Sequence, residues 1–141
     1  MDLLDKLNTP QRGAVLCTEG PLLILAGAGS GKTRVVTHRI AYLIKQKNVP
    51  PTSIMAVTFT NKAADEMKKR ISDMIGKSGK AVFVKTFHSA AVYILRKYGT
   101  AIGIPENFSI YDSRDQEELV KEIILEMRLD PKKIKPFALM S

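Results

Sequence analysis

One run of eight residues, Ala26-Gly27-Ala28-Gly29-Ser30-Gly31-Lys32-Thr33, leaves this 141-residue chain few ways to fold. It fits the Walker A phosphate-loop pattern, with Ala26 where the pattern has Gly. Such a loop works between a buried strand and a helix, and the flanking residues predict both. Leu22-Leu23-Ile24-Leu25 is a continuous apolar run, as expected of a central strand buried on both faces. A helix is predicted from near Lys32, with Val36, Ile40, Leu43 and Ile44 on one stripe and an end before Pro50-Pro51.

The residue types suit phosphate chemistry. Gly27, Gly29 and Gly31, with the small Ala28 and Ser30, let successive main-chain N–H groups turn inward as a nest at the positive end of a helix dipole. Lys32 brings a mobile positive charge to the terminal phosphates, and Thr33 offers a hydroxyl to Mg²⁺. Lys32 and Thr33 are therefore the candidate catalytic pair, and Ala26 to Thr33 the candidate cofactor-binding set. The loop specifies a nucleotide, ATP or GTP, but not what the nucleotide drives.

The rest of the chain alternates short apolar strands with amphipathic helices, the pattern of a parallel α/β sheet flanked by helices. Asn8-Thr9-Pro10 opens a first helix, with Asn8 or Thr9 able to cap it. Ile54 to Phe59 reads as the second strand. The following helix buries Ala64, Met67, Ile71, Met74 and Ile75, with Glu66 and Arg70 paired on its wet side. Ala81 to Val84 reads as the third strand, ahead of a helix with Phe87, Ala91, Leu95 and Tyr98 inward. After Gly99 the strand signal fades. Ser113 with Gln116 makes a capping box for a helix bearing Val120, Ile123, Ile124 and Met127, and Asp130-Pro131 starts one more. The domain reading is a P-loop core over residues 1–110 and a helical appendage over 111–141.

Twenty-two Lys and Arg against 14 Asp and Glu give a net charge of +8, which favours a polyanionic partner such as nucleic acid. The lone cysteine, Cys17, excludes an intrachain disulfide and a multi-cysteine metal cluster, and reads as a small apolar residue packed at a helix end. The longest apolar stretch, Pro21 to Gly29, is far short of a membrane span, and the acidic start Met1-Asp2-Leu3-Leu4-Asp5 is not a signal peptide. A reducing, cytoplasmic setting is the expectation.

Four segments, in order, carry a family resemblance. Leu7-Asn8-Thr9-Pro10-Gln11-Arg12 looks like a Q motif, and Ala26 to Arg34 looks like motif I. Ala56-Val57-Thr58-Phe59-Thr60-Asn61-Lys62-Ala63-Ala64 looks like motif Ia, and Thr86-Phe87-His88-Ser89 like motif Ib. Together they resemble superfamily 1 DNA helicases of the UvrD/PcrA/Rep type. The resemblance implies a RecA-like P-loop fold, ATP with Mg²⁺ as cofactors, and single-stranded DNA and duplex junctions as partners. It also implies 3′-to-5′ unwinding in repair or replication by a protein without a membrane association. By that resemblance Gln11 would read the adenine edge, its amide being both donor and acceptor. Arg34 would lie against the adenine face. Phe59, Asn61 and Lys62, with Thr86 and His88, would line the DNA track by stacking and charge. On spacing alone Gln11 is an exposed first-turn residue, Arg34 a surface arginine, Phe59 equally a core residue, and His88 a capping or core histidine. His38 reads as structural.

The family's acidic Walker B motif is not found. Asp112 follows a short piece that is polar at Ser109, and Ser-Arg comes next instead of a carboxylate. The chain therefore reads as an N-terminal portion, the 1A core with the start of subdomain 1B, monomeric and nearly inactive as an ATPase by itself. Two other classes fit less well. A small-molecule kinase needs an acidic residue soon after the second strand, where Thr60-Asn61-Lys62 stands. A non-catalytic nucleic-acid binding module with a vestigial loop is at odds with intact Lys32 and Thr33.

Overall fold

A computed structural model describes residues 3–129, in two compact units that divide between Ile94 and Leu95. The first unit is an α/β arrangement whose helices and strands follow from local chemistry. Helix α1 (Thr9–Leu16) starts at Asn8, whose side chain accepts from the Gln11 N–H at 3.0 Å. Gln11 in turn accepts from the Asn8 N–H at 3.1 Å, completing a reciprocal cap, and Pro10 sits in the first turn where no N–H is needed. Helix α2 (Lys32–Lys45) starts directly from the glycine-rich loop.

Strand β1 (Met55–Thr58) and strand β2 (Phe83–Thr86) pair in parallel, Ala56 opposite Val84 and Thr58 opposite Thr86. Parallel neighbours need a long crossover, and helix α3 (Asn61–Ile75) provides it. Thr60 caps α3 through the Ala63 N–H at 3.2 Å. The chain then turns through a 3₁₀ segment, Gly76–Ala81. A β-carbon on Gly79 would lie 2.9 Å from the Ser72 Cα, so only glycine lets this turn lie flat on α3. Helix α4 (Phe87–Tyr98) follows β2 directly.

The pleat sends Ala56, Thr58, Val84 and Thr86 to one buried face. There Ala56 and Val84 join Ile40 from α2, Ala64, Met67 and Ile71 from α3, and Val82 in one apolar core. A smaller cluster of Leu7, Val15 and Val35 fastens α1 to α2. Arg39 reinforces it by donating to the main-chain oxygens of Ala14, at 2.8 Å, and of Cys17. Lys45, the last residue of α2, ties that helix to α3 by reaching the Met74 oxygen at 2.9 Å.

Several sequence expectations shift here. Leu22 to Leu25 forms no strand: no described segment pairs with it, and Leu23 and Leu25 are 81% and 86% exposed. A strand exists through its ladder, and an apolar run without partners has none. The second strand is Met55–Thr58, shorter than the predicted Ile54 to Phe59. The third is moved from Ala81–Val84 to Phe83–Thr86 because Gly76–Ala81 takes up the 3₁₀ turn. Helix α2 buries Val35, Thr37, Ile40 and Ala41, with Val36 at the exposed margin. Helix α4 buries Ala90, leaving Phe87, Ala91 and Tyr98 exposed. Cys17 ends α1 as predicted but is exposed, not packed.

The second unit contains a 3₁₀ turn (Gly99–Ile102) and helix α5 (Ser113–Glu126). Arg96 lies 5.0 Å from the centre of the Phe108 ring and donates to the Glu106 oxygen at 2.8 Å, holding the intervening connection. The cap of α5 is Asp112, not Ser113, and its box partner is Asp115, not Gln116. Asp112 accepts from the N–H groups of Arg114 and Asp115 at 2.8 and 2.9 Å. Those N–H groups hold its carboxyl below the ordinary carboxylate value. The expected helix at Asp130-Pro131 lies outside the described residues. Among the described residues no helix is long and apolar enough to cross a membrane.

Candidate nucleotide and nucleic-acid site

The loop Ala26–Thr33 is braced from within. Gly29 and Gly31 take left-handed backbone angles, φ 73° and 89°, which side chains beyond glycine rarely tolerate. Gly31 is also the residue from which α2 springs. The Gly27 oxygen accepts from the Ser30 hydroxyl at 2.6 Å and from the Lys32 ammonium at 2.7 Å. Lys32 donates to the Ala26 oxygen as well, at 2.9 Å, so its charge is held over the loop. Thr33 is exposed in the first turn of α2, where the helix N–H groups are still unpaired by the helix itself.

Gln11 joins the loop to α1. Its amide nitrogen donates to the Ser30 oxygen at 3.0 Å, and the same nitrogen stands 2.9 Å from where a β-carbon on Gly31 would be. Beside this contact lies a cavity of about 250 Å³ whose lining includes Pro10, Gln11, Ala14 and Ile24 together with Ser30 and Lys32 of the loop. An apolar pocket continuous with a cationic loop is the shape a base linked to phosphates requires.

Arg34 is elsewhere. It lines a separate groove with Thr37, His38, Arg70, Asp73 and Met74, and does not line the Gln11 cavity. His38 donates through Nδ1 to the Leu3 oxygen at 2.7 Å, a contact that ties the start of the chain to α2. Another cavity, of about 430 Å³, belongs to the second unit and is lined by Asp115, Glu118 and Glu122, the wrong charge for phosphate.

The second group of candidate residues sits at the carboxyl ends of β1 and β2, the edge where open parallel sheets hold ligands. Phe59 leaves β1 with 89% of its surface exposed, which settles against a core role. Asn61 and Lys62, the first residues of α3, are exposed, as is His88 in the first turn of α4. Thr86 is only 7% exposed, and its hydroxyl accepts from the Ser89 N–H at 3.1 Å and donates to the Ser89 hydroxyl at 2.9 Å. Its visible work is to cap α4.

Phe87, which the sequence pattern turns inward on its helix, stands beside this group instead. It is half exposed, and its ring centre lies 5.3 Å from that of Phe59. The signal was present: the pair Thr-Phe ends both strands, as Thr58-Phe59 and Thr86-Phe87. Among the described residues no group of three or more His, Cys, Asp or Glu is placed to hold a metal ion.

The chain is similar to known proteins. The chain is 52% identical over 134 residues to the ATP-dependent DNA helicase PcrA of Staphylococcus aureus, a match that covers 95% of this chain and 18% of that protein. It is 53% identical over 138 residues to the ATP-dependent DNA helicase PcrA of Bacillus subtilis, covering 98% of this chain and 19% of that protein. The chain thus spans about a fifth of the length of these relatives. Residues 7–140 match the family of the UvrD/REP helicase N-terminal domain, and this chain belongs to that family.

Proposed function

We propose that this chain supplies the ATP-binding surface, and one edge of the single-stranded DNA track, of an ATP-dependent 3′-to-5′ DNA helicase built on a RecA-like P-loop fold. The observation that carries the reading is the braced loop: two left-handed glycines, Lys32 held over them, and Gln11 joined to Ser30 beside an apolar cavity. Bound ATP supplies the free energy of its terminal phosphoanhydride. Main-chain N–H groups of the loop and the Lys32 ammonium would hold its phosphates, and the Thr33 hydroxyl would face Mg²⁺. Gln11 keeps one amide hydrogen and spare acceptor capacity beyond the contacts it already makes, enough to meet a base edge. The placement of Arg34 on the adenine face rests on motif I alone. Phe59 would stack a base while Lys62 meets a phosphate, and Asn61 and His88 offer polar contacts on either side. Thr86 would act through the start of α4, by setting where His88 points. The direction of unwinding rests on the resemblance, and the printed names of the relatives support the use of ATP and DNA.

The test is equilibrium titration with a fluorescent ATP analogue, with and without Mg²⁺. Lys32→Ala should weaken binding about 10-fold or more, the scale of a lost charge-assisted contact, and leave the circular dichroism spectrum unchanged. Undiminished binding by that variant would mean the loop is not the nucleotide site.

A further inference from the structure

We propose that Phe87 is a positioning residue for the DNA edge: its ring buttresses Phe59 and fixes the plane on which a base stacks. The inference rests on the reading of Phe59 as a stacking residue and extends it to a side chain outside the candidate set. It begins with strand register. Thr58 lies opposite Thr86, so the next residues, Phe59 and Phe87, leave neighbouring parallel strands side by side. Strands sit about 4.8 Å apart, and the ring centres are 5.3 Å apart, so the sheet itself sets the spacing.

The two rings are inclined at 46°. That tilt suits the aromatic quadrupole, which favours an edge against a face. It does not suit a base inserted between them, which needs parallel planes roughly 7 Å apart, twice the carbon contact distance. One base on the free face of Phe59 is the arrangement the geometry allows. Phe59 is 89% exposed and has few other neighbours to hold it, whereas Phe87 is 50% exposed and anchored by the capped start of α4. Phe87 therefore supplies the order that Phe59 lacks. Lys62 stands in the first turn of α3, and both α3 and α4 begin at this edge, so positive helix ends and an ammonium flank the rings. An aromatic pair in such surroundings fits a nucleic-acid strand better than an apolar protein partner.

The experiment is fluorescence anisotropy with a labelled oligothymidylate, for the unaltered protein and for Phe59→Ala, Phe87→Leu, Phe87→Tyr and the double variant Phe59→Ala/Phe87→Leu, across a salt series. We expect Phe87→Leu to weaken binding about 2- to 10-fold, the range of one aromatic pair, with an unchanged salt slope. Phe87→Tyr, which keeps the ring, should bind as the unaltered protein does. The double variant should bind no more weakly than Phe59→Ala alone, because a buttress has no effect once its ring is gone. Additive losses would overturn the positioning role in favour of a separate contact, and a Phe87→Tyr loss equal to that of Phe87→Leu would overturn it too. Full affinity in Phe87→Leu beside a weakened Phe59→Ala would sink the buttress and leave the DNA reading standing. Unchanged affinity in every variant would remove the stacking site itself. Melting curves for each protein separate a true loss of affinity from a loss of folded molecules.

Discussion

The amide nitrogen of Gln11 donates to the main-chain oxygen of Ser30 at 3.0 Å, while its oxygen accepts from the Asn8 N–H at 3.1 Å. One side chain thus closes the cap of α1 and steadies the loop that precedes α2. Gln11→Glu separates the two tasks. Glutamate keeps the capping acceptor but turns a carboxylate oxygen on the Ser30 oxygen, so the loop contact becomes repulsive. We expect α1 to persist by circular dichroism and affinity for an ATP analogue to fall at least about 2- to 10-fold, the worth of one hydrogen bond. Equal affinity would show that the loop does not depend on Gln11.

Lys62 provides a test of charge that leaves packing alone, since it is exposed at the start of α3. Each phosphate neutralised on a single strand contributes about −0.7 to the slope of log affinity against log salt. Lys62→Ala should flatten that slope by about this amount. A slope identical to that of the unaltered protein would exclude a backbone contact by Lys62.

Ile71 is fully buried in the core between α3 and the sheet, whereas Leu23 is 81% exposed. Ile71→Ala should cost about 2–5 kcal/mol in a denaturant titration, from lost transfer energy and the cavity left behind. Leu23→Ala in the same chain should stay within about 0.5 kcal/mol, as for an exposed site without special contacts. A large loss at Leu23 would show that the apolar run ahead of the loop is packed after all.

Asp112 makes the helicity of α5 depend on acid. Its carboxyl is held below its ordinary value because the charged form accepts from the N–H groups of Asp115 and Arg114. A lowered folded-state value means the contribution is complete above the ordinary carboxylate range and is lost as pH falls through the lowered value. Far-ultraviolet circular dichroism should therefore show α5 fraying at the acid end. Asp112→Asn, which can still accept, should remove that pH dependence while keeping most of the helix. An acid transition of the same size in the variant would place its origin in other groups.

What could be read from the sequence was local. The loop Ala26–Thr33, the start of α2 at Lys32, a cap at Asn8 or Thr9 and the buried stripe Ala64, Met67 and Ile71 each depend on residues within a turn or two of one another. A regular period of apolar residues across fifteen positions fixes a helix face well, which is why α3 matched its expectation. Shorter or weaker patterns left the face open to an error of one residue, about 100° around a helix, as with Val35 for Val36 and Ala90 for Ala91. Only the tertiary structure decided the rest. Whether Leu22 to Leu25 becomes a strand depends on ladder partners distant in the chain, and no apolar count can provide them. Phe59 and Phe87 became neighbours because β1 and β2 pair in register, Thr58 against Thr86, across a 15-residue helix. Arg34 and Gln11 went to different pockets because α2 turns the one side chain away while the cap of α1 delivers the other to Ser30.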